Sequence, residues 1–190
     1  MKKLFALTII TIFLLGGVSF VSAEKENTGT KMDTCRIEIK MDEKNNKAVA
    51  EVYIVNTKAT TAFTVPLRFG NGKSPIICDS ISYKGTAVEN FAVRAGNIDS
   101  TQQTLLVGLI ADISGSGLTL KEGSNLVARI YFTLTNTKQT TEIVLDTCTY
   151  KPQNDLKMVY RVMKKGEKPR IKDVVPIFDN RNARIKIKAS

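Results

Sequence analysis

Segments in which apolar and polar residues alternate recur along most of this chain. In residues 62–69, AFTVPLRF, the side chains of Phe63, Val65 and Leu67 would share one face, while Thr64 and Arg68 would share the other. An alternation with period two is typical of a β-strand with one buried face. Val, Ile, Thr, Tyr and Phe dominate such segments, as strands require. The pattern predicts strands at residues 35–40, 48–55, 62–69, 76–83, 88–96, 104–113, 125–134, 141–150 and 183–189.

The connections between these segments carry turn residues, such as Asn45-Asn46 and Gly115-Ser116-Gly117. No segment shows the period of an amphipathic helix over three turns. Short strands separated by turns in a chain of this length predict an all-β, two-sheet antiparallel sandwich, with residues 34–190 as a single domain. Pro66 lies in the middle of its segment, which predicts either an edge strand or a bulge there.

The region between residues 151 and 180 is less regular and basic. Its two apolar segments, LKMVYRVM (156–163) and RIKDVVPIF (170–178), are joined through Gly166. This pattern predicts a C-terminal hairpin added to the sandwich.

The segment 104–113, TLLVGLIADI, is apolar on both faces. Leu105, Val107 and Leu109 would face one way, and Leu106 and Ile110 the other. A sandwich strand is normally apolar on one face only, unless something covers the second face. Either the C-terminal hairpin folds over this strand, or the second face is an exposed apolar patch that binds a protein.

The first 23 residues have the features of a secretory signal peptide. Lys2 and Lys3 precede a long apolar run, and small residues occupy Val21-Ser22-Ala23. An uncleaved membrane anchor is the alternative interpretation. Cleavage would leave a flexible polar leader at residues 24–33 and no further membrane span. We therefore expect a protein that is secreted, or located in the periplasm or cell envelope.

The composition narrows the possible partners. The chain is basic, with a net charge of +10, and many of its charges lie in the C-terminal region. Basic exported proteins commonly meet anionic surfaces, although charged runs are usually solvated faces. The chain has no nucleic-acid-binding motif, so nucleic acid is not an expected partner.

Histidine is absent, which excludes the Ser-His-Asp and Cys-His arrangements of nucleophilic enzymes. Without histidine, and with widely spaced cysteines, no metal site and no cofactor are expected. The chain has three cysteines, Cys35, Cys78 and Cys148. Because this number is odd, at most one disulfide can form within the chain in an oxidising compartment, and one thiol is left over. They could remain buried thiols or form one disulfide, and their spacing does not say which pair would form it.

Two further kinds of residue bear on function. Asp79, Asp99, Asp112 and Asp146 are assigned to strand ends or turns, where aspartate is the usual turn-forming residue. No catalytic carboxylate pair is therefore predicted, and the protein is expected not to be an enzyme. Tryptophan is absent, which leaves only tyrosines to stack against a sugar ring. The tyrosines are Tyr53, Tyr83, Tyr131, Tyr150 and Tyr160.

The segment EGSNLVARIYFTLTN resembles the penultimate-strand signature of cohesin modules, in which a glycine turn precedes a strand of the type Leu/Val-x-Ala-x-Ile-x-Phe. Gly123, Leu126, Ala128, Ile130 and Phe132 match that signature. Upstream, EVYIVNTKATTAFTVPLRFGNG, IICDSISYKGTAV and NFAVR are similar to the cohesin succession of strands. The resemblance covers roughly residues 47 to 135, and extends to the carbohydrate-binding-module-like sandwich domains of secreted bacterial proteins.

This resemblance implies a jelly-roll sandwich of about nine strands, with the hairpin at residues 151–180 as an addition. It also implies a flat sheet that binds a partner, which in cohesins is a dockerin. The strands of that sheet would be 62–70, 88–96, 104–113 and 141–150. Its outward, partner-binding side chains would be Thr64, Arg68, Arg94, Leu106 and Ile110.

Two other functions stay open. A carbohydrate-binding module would act on cell-wall or extracellular polysaccharide and would show coplanar exposed tyrosines. A glycoside-active or structural envelope protein is the third possibility, and its active form would show a cleft with two carboxylates.

Overall fold

Thirteen strands and one short 3-10 turn make up the computed structural model, which describes residues 32–114, 116–135, 138, 140–162 and 170–189. The predicted signal peptide and most of the predicted leader lie outside the described residues. The elements are β1 (Thr34–Asp42), the turn Glu43–Asn45, β2 (Lys47–Asn56), β3 (Thr60–Arg68), β4 (Ile76–Ser82), β5 (Val93–Asp99), β6 (Thr104–Ile110), β7 (Gly123–Leu134), β8 (Thr141–Val144), β9 (Asp146–Thr147), β10 (Lys157–Val162), β11 (Arg170–Val174), β12 (Ile177–Asn182) and β13 (Arg184–Ile187).

The strands form two main sheets and a small third one. One sheet has the order β12-β1-β2-β7-β4, and the other has the order β11-β10-β3-β6-β5, with β9 paired to part of β3. Strands β8 and β13 form a separate antiparallel pair. The alternation in the sequence explains the layering, because each strand presents every second side chain to one face. The inward side chains of both main sheets belong to one buried cluster, as the sandwich prediction requires.

The central strands bury the side chains that their alternation assigns to the core. Ile37 in β1, Val52 in β2 and Phe132 in β7 are fully buried in the first sheet, while Val65 in β3 and Val107 in β6 are fully buried in the second. Burying side chains of this size contributes about 1.5–3 kcal/mol each. This core fixes the inner faces of both sheets and leaves their outer faces available for other roles.

The C-terminal hairpin forms one edge of the six-stranded sheet and does not lie over it. Strand β10 pairs with β3 in antiparallel register, with Met158 opposite Phe63, and β11 pairs with β10. The idea that this hairpin covers the second face of residues 104–113 is therefore wrong. The hairpin is also shorter than predicted, because residues from Ile177 onward leave it and pair in parallel with β1 in the other sheet.

Two other predicted strands differ from the structure. The strand predicted at 88–96 begins only at Val93, because residues before it form a turn. The strand predicted at 141–150 is divided between β8 and β9, which belong to different sheets. The division of residues 141–150 into β8 and β9, together with the separate strand β12, explains why the structure has more strands than predicted.

Pro66 lies in an interior strand, so the expectation of an edge or a bulge is not met. Strand β3 pairs with β6 without a register shift, with Pro66 opposite Leu106. The Pro66 carbonyl points away from β6 and accepts a hydrogen bond from Thr147 Oγ1 over 3.3 Å. On that side, β10 pairs as far as Thr64 and β9 begins at Leu67. Proline is tolerated because its missing N–H faces the gap between these two partners.

Candidate binding face on the six-stranded sheet

The outer face of the six-stranded sheet is built from four rows of side chains that cross its strands. The ladders between β5, β6, β3, β10 and β9 define these rows. The first row is apolar, the second has small side chains apart from Lys157, the third is largely buried and the fourth is polar. From first to fourth, the rows are Val93, Ile110, Ala62 and Val159; Ala95, Gly108, Thr64 and Lys157; Asn97, Leu106 and Pro66; and Asp99, Thr104, Arg68 and Asp146.

An apolar groove of about 380 Å³ lies over the first row. Its floor comes from β6, β3 and β10, and its sides come from the loop after β6 and from β11. We call it the Ile110 groove and define it by Ala62, Ile110, Ile113, Leu118, Val159 and Ile171. Ten large apolar side chains are exposed among the described residues, and four of them line this groove: Ile110, Ile113, Leu118 and Ile171. Such clustering marks an interaction site more strongly than scattered exposed apolar residues do.

The loop after β6 is held in shape by Asp112. Its carboxylate accepts hydrogen bonds from the Gly117 N–H over 2.7 Å and from the Ser114 N–H and hydroxyl, each over 2.8 Å. The hydrogen bond from the Gly117 N–H is the main reason that the pKa of Asp112 falls to about 2. These bonds tie Ser114 and Gly117 to Asp112 next to Ile113 and Leu118, which line one side of the groove.

The predicted site residues do not form one patch. Thr64, Arg68, Leu106 and Ile110 lie on the outer face, in different rows. Leu106 is only 8% exposed, whereas Ile110 is 40% exposed, so the apolar face is open at Ile110 and not at Leu106. Arg94 lies opposite Leu109, whose side chain points into the core, so Arg94 belongs to the inner side of the edge strand β5. The predicted outward position of Arg94 is wrong. The role of the other four residues in binding stays a prediction.

Several residues that form the groove are absent from the predicted site. Val159 and Ile171 come from the C-terminal hairpin, and Ile113 and Leu118 come from the loop after β6. The sequence feature that could have indicated them is the presence of isoleucines in otherwise polar segments, Ile171 in the basic hairpin and Ile113 in the glycine-containing loop. Their meeting point depends on the pairing of β10 with β3, which the local pattern does not reveal.

A second, polar pocket of about 430 Å³ lies at the opposite end of the same face. Its lining includes Arg68 and Thr104 from the fourth row and residues 148–151 from the chain after β9. Asp99 is the carboxylate in the lining, and it accepts a hydrogen bond from the Gln102 N–H over 2.9 Å. Hydrolysis of a glycosidic bond needs two facing carboxylates. Neither this pocket nor the Ile110 groove has two carboxylates in its lining.

The outer face of the five-stranded sheet carries a charged network. Glu51 is 5% exposed, and its carboxylate lies 2.8 Å from Lys40 Nζ and 3.2 Å from Arg129 Nε. The Tyr53 hydroxyl also donates a hydrogen bond to Glu51, and the Arg36 guanidinium lies over the Tyr53 ring. Tyr131, at 37%, is the most exposed of the five tyrosines. A row of exposed tyrosines, as a sugar-binding platform would show, is therefore not present.

The cysteines are thiols without a disulfide bond. Cys35 is in β1 and Cys78 is in β4, at positions separated by β2 and β7. Three strand spacings amount to about 14 Å, which is too far for a disulfide. Burial raises the pKa of each of these two thiols to about 12. Burial also raises the pKa of Cys148, although the nearby Arg68 opposes that effect.

In the described part of the chain, no group of three or more cysteine, aspartate or glutamate side chains is placed to hold a metal ion. None of the helical structure within the described ranges has the length and hydropathy needed to span a bilayer.

Solved structures of cohesin modules are similar to this chain. The cohesin of a type I cohesin–dockerin complex (Coh-OlpA-Doc918) from Clostridium thermocellum matches with a TM-score of 0.61 and 8% identity, covering 84% of this chain and 100% of that one. The seventh ScaB type I cohesin from Pseudobacteroides cellulosolvens matches with a TM-score of 0.58 and 14% identity, covering 84% of this chain and 92% of that one. The third ScaC cohesin from Acetivibrio cellulolyticus, solved in complex with the ScaB dockerin, matches with a TM-score of 0.58 and 13% identity, covering 83% and 99%.

These likenesses confirm the predicted fold, because the chain folds as a cohesin-like β-sandwich. No protein-family model matches the chain, and no curated protein matches it.

Proposed function

We propose that this protein is a non-enzymatic recognition module that binds another protein through the outer face of its six-stranded sheet. The observation that carries this proposal is the meeting of four exposed apolar side chains, Ile110, Ile113, Leu118 and Ile171, in one groove. Protein interfaces are typically apolar at their centre with a polar rim. The groove combines these two kinds of group, because Thr61, Thr119 and Arg161 line it together with the apolar side chains.

The shape of the face supports the same proposal. The row next to the groove contains only Ala95, Gly108 and Thr64 before Lys157. A Cβ on Gly108 would come no closer than 3.7 Å to a neighbouring atom, so this row is low and open. A partner backbone can therefore approach the sheet closely beside the groove.

The fold favours a partner of the dockerin type among protein partners. Two of the similar cohesins were solved in complexes with dockerins. The proposal for this chain includes export, through the predicted signal peptide at residues 1–23, so the partner would be met outside the cytoplasm or in the cell envelope. Polysaccharide is the competing partner, and the tyrosine placement gives it less support.

A binding experiment with matched variants tests this proposal. Residues 24–190 would be immobilised and exposed to culture supernatant and envelope extract of the source organism. Each captured protein would be purified and its affinity measured for the wild type and for an Ile110→Asp, Ile171→Asp double variant. We expect at least a tenfold loss of affinity, because charges would replace the apolar centre of the interface.

The control is Ile77→Asp. Ile77 is 50% exposed in β4 of the other sheet, so this change adds a charge at a similar exposure away from the groove. We expect its affinity to equal that of the wild type. Binding to insoluble cell-wall polysaccharide with no effect of the double variant, and no protein partner, would contradict the proposal.

A further inference from the structure

Arg161 is placed to recognise an acidic group at the edge of the Ile110 groove. It lies in β10 directly opposite Ile171 in β11, and both residues line the groove. Its neighbour along the outer face of β10 is Val159, which forms part of the floor. A cation therefore lies beside an apolar floor, within reach of any segment that fills the groove.

Within the described ranges, no ion pair joins this cation to the carboxylate that shares the groove. Asp112 keeps its negative charge, but its oxygens are held by hydrogen bonds from the Gly117 N–H and from Ser114. The nearest acidic residue on β11, Asp173, lies 3.1 Å from Lys157 Nζ and is paired with it. Among the residues that the structure describes, Arg161 forms no ion pair and no hydrogen bond through its side chain.

In the free protein, an exposed arginine without an ionic partner carries no desolvation penalty, because water solvates its guanidinium. The situation changes when a partner fills the groove and excludes water, since charges interact more strongly at lower dielectric. A partner without an opposite charge would then leave the guanidinium partly desolvated and unpaired, which lowers affinity. A carboxylate would form the two-pronged hydrogen bonds that a guanidinium favours.

The charge of the whole molecule selects among occupants. The chain has 28 basic and 18 acidic residues, so a second copy would bring net positive charge toward Arg161. Like charges across an interface oppose association. An acidic partner is favoured both by the local cation and by the long-range field.

We infer that the Ile110 groove takes a segment of another protein in which bulky aliphatic side chains stand beside an Asp or Glu whose carboxylate pairs with Arg161. This inference rests on the proposed function, because it names the chemistry of the partner at the same groove. It also gives the C-terminal hairpin a role, since Val159, Arg161 and Ile171 all belong to it. The hairpin is then the part of the chain that sets partner choice.

A peptide-display selection tests the inference without knowledge of the natural partner. A random peptide library would be selected on residues 24–190 and counter-selected on the Ile110→Asp variant. We expect the enriched peptides to combine aliphatic residues with Asp or Glu. For a synthetic peptide of this kind, Arg161→Gln should weaken binding about tenfold or more. Arg161→Lys should recover part of the loss, because it keeps the charge but not the planar fork.

A double-mutant cycle separates a direct pairing from a general charge effect. Replacing the peptide Asp by Asn should weaken binding to the wild type but have little further effect on Arg161→Gln. The matched control is Arg94→Gln, which removes an exposed arginine from the inner side of β5 and should leave the affinity unchanged.

Three results would contradict the inference, and they differ in whether the proposed function also fails. Ile110-dependent peptides without an acidic preference, which bind Arg161→Gln as tightly as the wild type, would overturn this inference and leave the proposed function standing. A selection that yields no Ile110-dependent peptide would overturn both. Ile110-dependent dimerisation in analytical ultracentrifugation would assign the groove to a second copy and also overturn the inference.

Discussion

The side-chain amide of Gln103 pairs with the main chain of Ser74 in the way that one strand pairs with another. The Ser74 N–H donates to Gln103 Oε1 over 3.0 Å, and Gln103 Nε2 donates to the Ser74 carbonyl over 2.8 Å. The same amide accepts from the Gly72 N–H and donates to the Ile76 carbonyl. Gln103 is 6% exposed, so this one side chain satisfies four main-chain groups where the chain enters β4.

Gln103→Ala is expected to destabilise the protein strongly. The change would remove the buried hydrogen bond to the Ile76 carbonyl and the partner of the partly buried Ser74 N–H. Each unsatisfied buried group costs about 1–3 kcal/mol. We expect the free energy of unfolding, measured by urea denaturation, to fall by about 2 kcal/mol or more. Gln102→Ala is the control, because its side chain is exposed and should change the stability by less than about 0.5 kcal/mol. Equal stability of the two variants would contradict the role given to Gln103.

Leu106 and Ile110 are expected to respond differently to the same substitution. Leu106→Asp would place a charge at a site that is 8% exposed, between Pro66 and Asn97, and should lower the midpoint of urea unfolding or prevent folding. Ile110→Asp affects a side chain that is 40% exposed and should leave the midpoint nearly unchanged. Circular dichroism during urea titration measures both. A large loss of stability in Ile110→Asp would show that the groove is closed.

Cys148 is expected to be the first cysteine to react with iodoacetamide. It is partly exposed, whereas Cys35 and Cys78 are buried, and burial raises the pKa of both buried thiols to about 12. The thiolate is the reactive form, so the buried pair should react only after unfolding. Mass spectrometry of the native protein should show one adduct, which Cys148→Ser removes. Rapid labelling of Cys35 in the native protein would contradict this prediction.

Acid titration should reveal the loop held by Asp112. The Gly117 N–H holds the pKa of Asp112 near about 2, below the usual value of about 3.9. Because the pKa is lowered in the folded protein, the ionised carboxylate stabilises the fold at every pH above the usual aspartate pKa. This stabilisation is lost as the pH falls through about 2. The amide resonance of Gly117 in NMR spectra should therefore shift with a midpoint near pH 2. Asp112→Asn should abolish the transition, and a midpoint near pH 4 would argue against the hydrogen bond.

The Glu51 network should stabilise the five-stranded sheet at neutral pH. Burial tends to raise the pKa of Glu51, but hydrogen bonds from Lys40, Tyr53 and Arg129 outweigh it and hold the pKa below its usual range. We expect Glu51→Gln to lower the free energy of unfolding at pH 7 by about 1–3 kcal/mol. The difference should shrink as the pH falls through the lowered pKa, where the wild-type carboxylate is protonated.

The matched control for Glu51 is Glu38. Its carboxylate lies 3.2 Å from Arg36 Nε, but its side chain is 35% exposed, so Glu38→Gln should cost less than about 1 kcal/mol. Equal effects of the two substitutions at pH 7 would show that the ion pairs of Glu51 add nothing beyond those of an exposed pair.

The faces of the central strands could be predicted from the sequence, but the face of Arg94 could not. In β3 and β6, large apolar side chains such as Phe63 and Leu109 mark every second position as inward. In β5 the residues Val93–Asp99 contain a glycine, and their two bulky apolar side chains, Val93 and Ile98, lie on opposite faces. The alternation there is weak, and a shift by one residue moves each side chain to the other face. The register with β6 decided the position of Arg94.

The sequence by itself determined that this chain forms short, mostly alternating strands and folds as a sandwich, because alternation is a local property of the backbone and survives whatever the strands pair with. Only the tertiary structure decided that Leu106 is covered, that Ile110 is open and that Ile171 and Arg161 stand beside it. Those facts depend on which distant strands pair and in which register. The Ile110 groove exists because β10 pairs with β3 on the side opposite β6.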